Sequence, residues 1–377
     1  MKSEYVMKIM QYAILIMLFL SLAVLPSTAE ITTKEKIVDK TANSITVVDE
    51  AGRTVTINLP IKNIISTDYR QMEALLALGV QDKIVGVDSN FPRQMPYFGP
   101  KDAAEVGLHA TEVNYEQILM LEPSLVIIPA RQGSTADEIS KKLKGVPVVA
   151  FGLSSRDHMI PQLQIMGQIL GKEDEANKLI NWMKKYEMIV EERIKKVDPS
   201  DMPTFYYDYM SDTHKKWWAL TPDNLAVRAT EDCGGRNIAS DLDLNETTTS
   251  VEVEAEWVLS KDPDFIFLDF MGGLRDDPVQ SGPGKTEEDL KKTLSAMIDE
   301  REKEGFQNFA AVKNNHVYIV DRDYISGPRW IIGHVLFAKL FHPNLFEDLD
   351  PAELNKEYLK EFQGLELDGT WVYPVPA

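Results

Sequence analysis

One long amphipathic segment, EDEANKLINWMKKYEMIVEERIKKV at 173–197, most constrains what this chain can fold into. Acidic residues fill its first turn and lysines its last, an arrangement that favours a helix through its dipole. Apolar residues recur at steps of three and four from Ala176 to Val197, so one face can be buried. Gly171 and Pro199 limit the helix on its two sides. At about 1.5 Å per residue the helix would be roughly 37 Å long, enough to run alongside two small domains.

The segments on either side of this helix resemble each other. EQILMLEPSLVI at 116–127 matches EWVLSKDPDFIF at 256–267. In each, a glutamate opens a short helix, a proline follows seven residues later, and then comes a buried strand. Two copies of one unit on opposite sides of a long helix predict duplicated lobes.

Short apolar strands alternate with helical segments in both halves, which predicts parallel sheets covered by helices. A β-hairpin is expected first, from Ser44 to Asn58. The predicted strands that follow lie at 63–67, 83–87, 125–128, 146–151, 204–209, 265–268 and 317–320. The predicted organisation is a leader at 1–29, an N-terminal lobe at 30–172, the connecting helix at 173–197 and a C-terminal lobe at 198–377.

The N-terminus predicts export from the cytoplasm. Lys2 and Lys8 flank the start of an apolar run at 9–25, and Ser27-Thr28-Ala29 fits the small-residue cleavage rule. We expect a mature start near Glu30, the alternative being a leader retained as a membrane anchor. The net charge of −19 argues against binding to nucleic acid or to anionic lipid.

The single cysteine, Cys233, rules out a disulfide within the chain. No cysteine lies near the cleavage motif, so the sequence predicts an extracytoplasmic protein that is not a cysteine-linked lipoprotein.

Candidate ligand-binding residues follow the predicted strands, because open parallel sheets bind ligands beyond the carboxyl ends of their strands. Aromatic rings and guanidinium groups dominate there, which suits a bulky, partly flat, anionic ligand. For each aromatic residue the alternative is packing in the core. The candidates are Asp68, Tyr69, Arg70, Asn90, Phe91, Arg131, Tyr207, Tyr209, Trp217, Trp218, Phe270, Tyr324 and Arg329.

Motifs for catalysis or for a bound metal are not found in the sequence. Gly284-Lys285-Thr286 resembles the end of a phosphate-binding loop, but Val279 stands where the first glycine is required, so a mobile surface loop is expected. The six histidines never fall at a metal-ligand spacing, and there is no G-x-S-x-G motif.

Several motifs together resemble one protein family, the extracytoplasmic solute-binding proteins of ABC importers for ferric siderophores, haem and cobalamin. The resemblance covers roughly residues 45–341. The matching segments are NYEQILMLEPSLVII at 114–128, CGGRNI at 233–238, VEAEWVL at 253–259 with DPD at 262–264, and GPR at 327–329. It implies an α/β fold of two Rossmann-like lobes with mainly parallel sheets, joined by a single long α-helix.

The resemblance also implies a function. The protein would be a monomeric receptor, without a cofactor and without enzymatic activity, that captures a metal chelate between its lobes. It would deliver this cargo to an ABC permease dimer with its ATPase. Glu116 and Glu256 match the glutamates that dock onto permease arginines in this family. Many family members carry a lipidated cysteine after the signal, and this chain has none.

The arginines favour a ferric chelate as the cargo. A corrinoid such as cobalamin, or haem, bound by the same mechanism is the nearest alternative. A receptor for free zinc or manganese and a tetrapyrrole chelatase are the others. The histidine spacing argues against free metal, and the export signal argues against the chelatase.

Overall fold

A five-stranded sheet that precedes a long helix in the chain and a seven-stranded sheet that follows it form the framework of the protein. The structure is a computed structural model that describes residues 35–108, 112–130, 133–153, 156–210, 217–242, 248–270, 281–301 and 305–376. The predicted leader at 1–29 lies outside these residues. Within the described ranges, no helix combines the length and the apolar character needed to cross a membrane.

The N-terminal sheet has five strands in the order β10-β9-β4-β5-β6, all parallel. Ahead of it lies a three-stranded antiparallel sheet, whose β2 and β3 confirm the predicted hairpin. The strands of this half are β1 (Lys36–Lys40), β2 (Ser44–Val48), β3 (Thr54–Asn58), β4 (Ile64–Ser66), β5 (Ile84–Val87), β6 (Ala104–Glu105), β7 (Gly107–Leu108), β8 (Glu112–Val113), β9 (Leu125–Ile128) and β10 (Val148–Ala150). Its helices are α1 (Tyr69–Ala77), α2 (Phe91–Gln94), α3 (Tyr115–Met120), α4 (Gly133–Lys142) and α5 (Arg156–Leu170).

The long helix α6 (Glu173–Ile194) follows α5 and confirms the predicted connection between the two halves. It ends three residues before the predicted limit. Its buried residues include Ala176, Leu179, Met183 and Val190, so the predicted apolar face is the face that packs.

The C-terminal sheet has a parallel centre of β11, β15 and β17, with antiparallel strands at both edges. Those edge strands were not predicted. The strands are β11 (Thr204–Met210), β12 (Trp217–Leu220), β13 (Arg236–Asn237), β14 (Ser250–Val253), β15 (Phe265–Phe270), β16 (Gly282–Pro283), β17 (Val317–Val320), β18 (Gly369–Thr370) and β19 (Val372–Tyr373). The helices are α7 (Leu225–Glu231), α8 (Ala255–Lys261), α9 (Glu287–Arg301), α10 (Ala310–Lys313), α11 (Trp330–Phe341) and α12 (Pro351–Gln363).

The repeated unit seen in the sequence has the same local geometry in both halves. Helices α3 and α8 are each followed within two residues by a non-glycine residue in the left-handed region, Glu122 at φ 46° and Asp262 at φ 39°. Each of these residues precedes a proline, and a strand follows, β9 in one half and β15 in the other. The residue after each proline, Ser124 or Asp264, also has the same role, because its side chain caps the start of the neighbouring strand.

That cap is a side chain that accepts backbone N–H groups about 60 residues earlier in the chain. Ser124 Oγ accepts from the N–H of Asn63 at 3.1 Å. Asp264 Oδ2 accepts from the N–H of Thr204 at 2.7 Å. These two contacts fix where β4 and β11 begin, so the two sheets are built on one plan.

The last helix, α12, packs on the long helix α6. Glu357 accepts hydrogen bonds from Trp182 Nε1 at 2.9 Å and from the Tyr186 hydroxyl at 3.0 Å. Gln363, at the end of α12, donates to the carbonyl oxygen of Glu73 in α1 at 3.2 Å. The C-terminal segment therefore contacts both the connecting helix and the N-terminal half. The predicted limits of the two lobes, at 172/173 and 197/198, stay predictions.

Candidate functional site

The carboxyl end of β4 leads into α1 through a rigid turn. Asp68 caps the helix by accepting the N–H of Arg70 at 2.9 Å. Behind it, Ser66 Oγ donates to Gln71 Oε1 at 2.9 Å, and Gln71 Nε2 donates to the carbonyl of Phe151 at 2.7 Å. This network links the ends of two strands and holds the first turn of α1 in place.

The next strand ends in a similar turn. Asp88 accepts the N–H of Asn90 at 2.8 Å, and Asn90 precedes the short helix α2. Asn90 and Phe91 are both buried, with 4% and 2% of their surface exposed. These two predicted ligand residues therefore pack inside the fold in this structure.

In the C-terminal half, the turn after β17 lies against the start of α11. Asp321 accepts the N–H of Asp323 at 2.9 Å, and Tyr324 behind it is buried. A Cβ atom on Gly333 would lie 1.7 Å from the carbonyl oxygen of Tyr324. Only glycine allows α11 to approach this turn so closely.

An ion-pair group joins the two halves. Arg329 Nε donates to Glu73 Oε1 at 2.8 Å, and its Nη2 donates to Asp323 Oδ2 at 2.5 Å. Arg329 and Glu73 have no exposed surface. We call Glu73, Asp323 and Arg329 the interlobe triad, because Glu73 lies in α1 and the other two lie beyond β17.

The pKa values of all three members of the triad are shifted. Burial, together with the nearby Asp321 and Glu73, raises the pKa of Asp323 to about 8 although Arg329 opposes the shift. The pKa of Glu73 is raised for the same reason. Burial by itself would lower the pKa of Arg329, but the Glu73 and Asp323 carboxylates hold it well above its usual value. The Arg329 guanidinium thus donates hydrogen bonds to two carboxyl groups in a buried site.

Arg70 lies beside the triad and differs from it in exposure. About 15% of its side chain is exposed, and its guanidinium lies 4.7 Å from the centre of the Tyr69 ring. Asp68 Oδ2 is 3.9 Å from Nη1, a long ion pair, and Nε finds no acceptor among the described residues. A Cβ atom on Gly327 would lie 3.6 Å from Cβ of Arg70, so the C-terminal half closes over this side chain.

Three of the predicted ligand residues have their contacts within the fold. Tyr207 is a core residue whose hydroxyl shares a hydrogen bond of 3.0 Å with Thr230. Trp217 is buried in a second core, against Phe306 and Phe309. Arg329 is already paired with two carboxylates and is fully enclosed. All three side chains are enclosed by the protein, and a ligand-binding role stays a prediction for each.

Arg70, Asn90 and Phe91 are described above and keep their predicted roles, and the seven remaining predicted ligand residues divide into two sets. Asp68, Tyr69 and Tyr324 are buried beside Arg70 and the triad, and Trp218 at the start of β12 is half-buried. Arg131 lies outside the described residues, as do the side chains of Tyr209 and Phe270, which lie in the last two residues of β11 and β15. A ligand-binding role remains a prediction for the members of both sets.

Sequence reasoning missed several members of this region. Glu73 is the one acid of helix α1 and lies between Met72 and Ala74, and this was the one available signal. The Phe98 ring centre lies 5.9 Å from the Arg329 guanidinium, and Tyr358 in α12 receives a hydrogen bond of 2.8 Å from Gln363. Nothing in the local pattern of these two aromatics marks them as partners of the site.

Glu116 and Glu256 occupy equivalent positions in the repeated unit. Each is the second residue of its helix, and each is exposed. Two residues later, Ile118 and Val258 are fully buried and anchor the two helices to their sheets. The structure thus presents two carboxylates in the same setting, one on each half.

Comparison with known families shows which family has this architecture. Residues 64–324 match the family described as periplasmic binding protein, which is more than half of the chain. The chain belongs to the periplasmic binding protein family. The resemblance found in the sequence is thereby confirmed: this is a family of solute-binding proteins of ABC transporters, and its members are not enzymes.

Two relatives from Bacillus subtilis strain 168 cover most of this periplasmic binding protein. The uncharacterized ABC transporter substrate-binding lipoprotein YvrC is 24% identical, over 81% of this chain and 87% of its own length. The petrobactin-binding protein YclQ is 23% identical, over 84% of this chain and 93% of its own length.

Among solved structures, the TroA-like periplasmic binding protein FepB from Veillonella parvula has the same fold. It superimposes with a TM-score of 0.71 at 21% identity, covering 88% of this chain and 99% of that one. The predicted fold class, with its two α/β lobes and single connecting helix, is confirmed.

Proposed function

We propose that this periplasmic binding protein captures a metal chelate of the ferric siderophore class between its lobes and delivers it to an ABC permease dimer with its ATPase. It would act as a monomer and without a cofactor. The family supports the transport role, and the relative YclQ, named as a petrobactin-binding protein, supports the cargo class.

The observation that carries the proposal is the state of Arg70. Its side chain is about 15% exposed and lies at the carboxyl end of a parallel sheet, next to an aromatic ring and close to Gly327 of the other lobe. Its Nε lacks an acceptor among the described residues. Because a carboxylate or catecholate oxygen is the natural acceptor for such a donor, an anionic chelate complements the site.

Replacement of this arginine tests the proposal. Arg70→Ala should weaken binding of a ferric siderophore by about 1.5–3 kcal/mol, the contribution of a charge-assisted hydrogen bond. Binding is measured by quenching of tryptophan fluorescence on titration with ferric petrobactin. Arg236→Ala, at an exposed arginine in β13, is the matched control and should bind like the wild type. Equal affinity for the Arg70 variant would remove Arg70 from the site.

A visible absorption spectrum identifies the cargo class. The protein is incubated with ferric siderophores, haem or cobalamin, passed through a desalting column and scanned. Retention of a ferric chelate alone supports the proposal. Retention of haem or of cobalamin alone would replace it with those alternatives.

Docking on the permease is proposed for Glu116 and Glu256. Two exposed carboxylates in matching positions give complementary partners for two basic sites and fix the orientation of the complex. Replacing both by alanine should abolish uptake while changing cargo affinity by less than about threefold, since uptake also requires transfer to the permease. Glu138→Ala, at an exposed acid of α4, serves as the control. Undiminished uptake by the double variant would contradict the docking role.

We further propose that the exported chain carries no thioether-linked lipid. The relative YvrC is named a lipoprotein, but the one cysteine in these 377 residues is Cys233, which is buried. Its Sγ donates to the carbonyl of Ala229 at 3.2 Å. The intact mass of the exported protein tests this: a chain starting near Glu30 without added lipid supports it, and a lipid-modified mass refutes it.

A further inference from the structure

A histidine and two glutamates from three distant segments meet outside the proposed cargo site. Glu35 lies just before β1, Glu50 lies in the turn between β2 and β3, and His158 lies in the first turn of α5. Each can offer one ligand atom such that all three atoms lie within 4.8 Å of one another. Spacing in the sequence could not reveal this group, because its members come from three elements.

The two carboxylates are held in place by one buried glutamine. Gln162 Nε2 donates to Glu35 Oε1 at 2.9 Å and to Glu50 Oε2 at 2.5 Å. Its own Oε1 accepts the N–H of Leu153 at 2.7 Å, which fixes the orientation of the amide. Glu50 Oε2 also accepts the N–H of Gly152 at 3.0 Å. Such outer hydrogen bonds are the usual support of metal-binding carboxylates.

One oxygen in the group lacks a partner. The Glu35 side chain is fully enclosed, its Oε1 lies 2.6 Å from His158 Nδ1, and no donor reaches its Oε2 among the described residues. A buried carboxylate oxygen without a donor is costly, and a bound ion or water is its common explanation. The side chain of His158 is 31% exposed and leaves a route from solvent.

The charge of the group favours a cation over the ion pair alone. Even when His158 is protonated, one positive charge faces two carboxylates, and Asp157 adds another negative charge nearby. A divalent cation would balance the two glutamates. The proton that Glu35 and His158 now share would then leave to solvent.

We propose that Glu35, Glu50 and His158 form a site for a divalent transition-metal ion. An imidazole nitrogen with two carboxylates suits Zn²⁺, Co²⁺ or Mn²⁺, and the nitrogen disfavours Ca²⁺ and Mg²⁺. Two ligand atoms on one such ion are at most about 4.2 Å apart, so a small inward shift completes the site. The ion joins the segment that follows the leader to the body of the N-terminal lobe. The site uses none of the residues proposed to bind cargo.

Metal binding by the purified, chelator-treated protein tests the site. Titration with ZnCl₂ in a calorimeter should show one ion per chain, and the melting temperature should rise with Zn²⁺ but not with CaCl₂. Glu50→Gln and His158→Gln should each weaken Zn²⁺ binding by about tenfold or more. His316→Gln, at a histidine whose Nδ1 lies 3.1 Å from the carbonyl of Asp264, should leave it unchanged.

The melting temperature of each variant without metal shows whether it folds. Glu50 is half-buried and keeps an amide of the same shape after replacement, so this variant remains informative if the histidine variant unfolds. Failure of the wild type to bind Zn²⁺, or unchanged binding by a folded Glu50→Gln variant, would overturn the proposal.

Discussion

The buried carboxyl of Asp323 makes stability depend on pH at the level of a single residue. Its pKa in the folded protein is raised to about 8, so the folded form holds this proton more tightly than the unfolded chain. The resulting stabilisation is complete below the unfolded pKa and is lost as the pH rises through the folded one. For this group the loss falls between about pH 4 and pH 8.

Replacing Asp323 with asparagine removes this titration and keeps an oxygen as acceptor for Arg329. From pH 5 to pH 8 the wild type should lose stability relative to Asp323→Asn, by at most about 1.4 kcal/mol per pH unit. Urea unfolding of both proteins at each pH gives the difference. A constant difference across this range would show that Asp323 is ionised throughout.

The same residues show what local patterns could and could not predict. The position of Asp68 at a strand end followed from the sequence, because strand ends and helix caps are local features. The enclosure of Arg329 did not, since its partner Glu73 lies 256 residues away. Tyr207 and Trp217 were candidates for the ligand for the same reason that they pack in cores, namely their large apolar rings.

Among the elements, helix α12 is attached to the connecting helix by two hydrogen bonds to one carboxylate. Glu357 is half-buried and accepts hydrogen bonds from both Trp182 and Tyr186. Glu357→Ala should therefore lower the free energy of unfolding by about 1–3 kcal/mol, because two donors lose their acceptor. Urea unfolding followed by tryptophan fluorescence measures the change.

Glu361 on the same helix is the matched control for this prediction. It pairs with Lys178 at 2.7 Å, but both side chains are largely exposed to solvent. Such pairs contribute little, so Glu361→Ala should unfold like the wild type. An equal loss in both variants would mean that the buried hydrogen bonds of Glu357 do not account for the effect.

The elements that the sequence predicted are the long and the repeated ones. Helix α6 is long enough for its apolar face to be recognised in the sequence. In the duplicated unit, the proline after each short helix predicted the strand that follows it, β9 in one half and β15 in the other. Strands such as β13, β16 and β18 have two residues each, too few to show a periodicity. They form because a neighbouring strand offers hydrogen bonds, which is information that only the folded chain contains.

For the whole molecule, contacts around α6 argue for small movements between the lobes. Arg156 in α5 bonds to Glu187 in α6 at 3.0 Å and also contacts Asp232, just after α7. The interlobe triad adds a second connection, which a wide opening would have to break.

X-ray scattering with and without a ferric siderophore measures this movement. We expect superimposable curves, because both connections persist when cargo binds. A Glu73→Gln, Arg329→Gln double variant removes the charges of the second connection and should show the larger change. A clear compaction of the wild type on adding cargo would contradict the expectation.

The pairing of Glu73 with Arg329 also bears on how the chain is made and exported. Synthesis and translocation release the N-terminal half first, when the guanidinium that Glu73 needs has not yet emerged. Until then the carboxylate stays hydrated, and α1 cannot take its final place against the sheet. We therefore expect the first half to complete its packing only after the last quarter of the chain is released, and a premature stop codon late in the message to destabilise both halves.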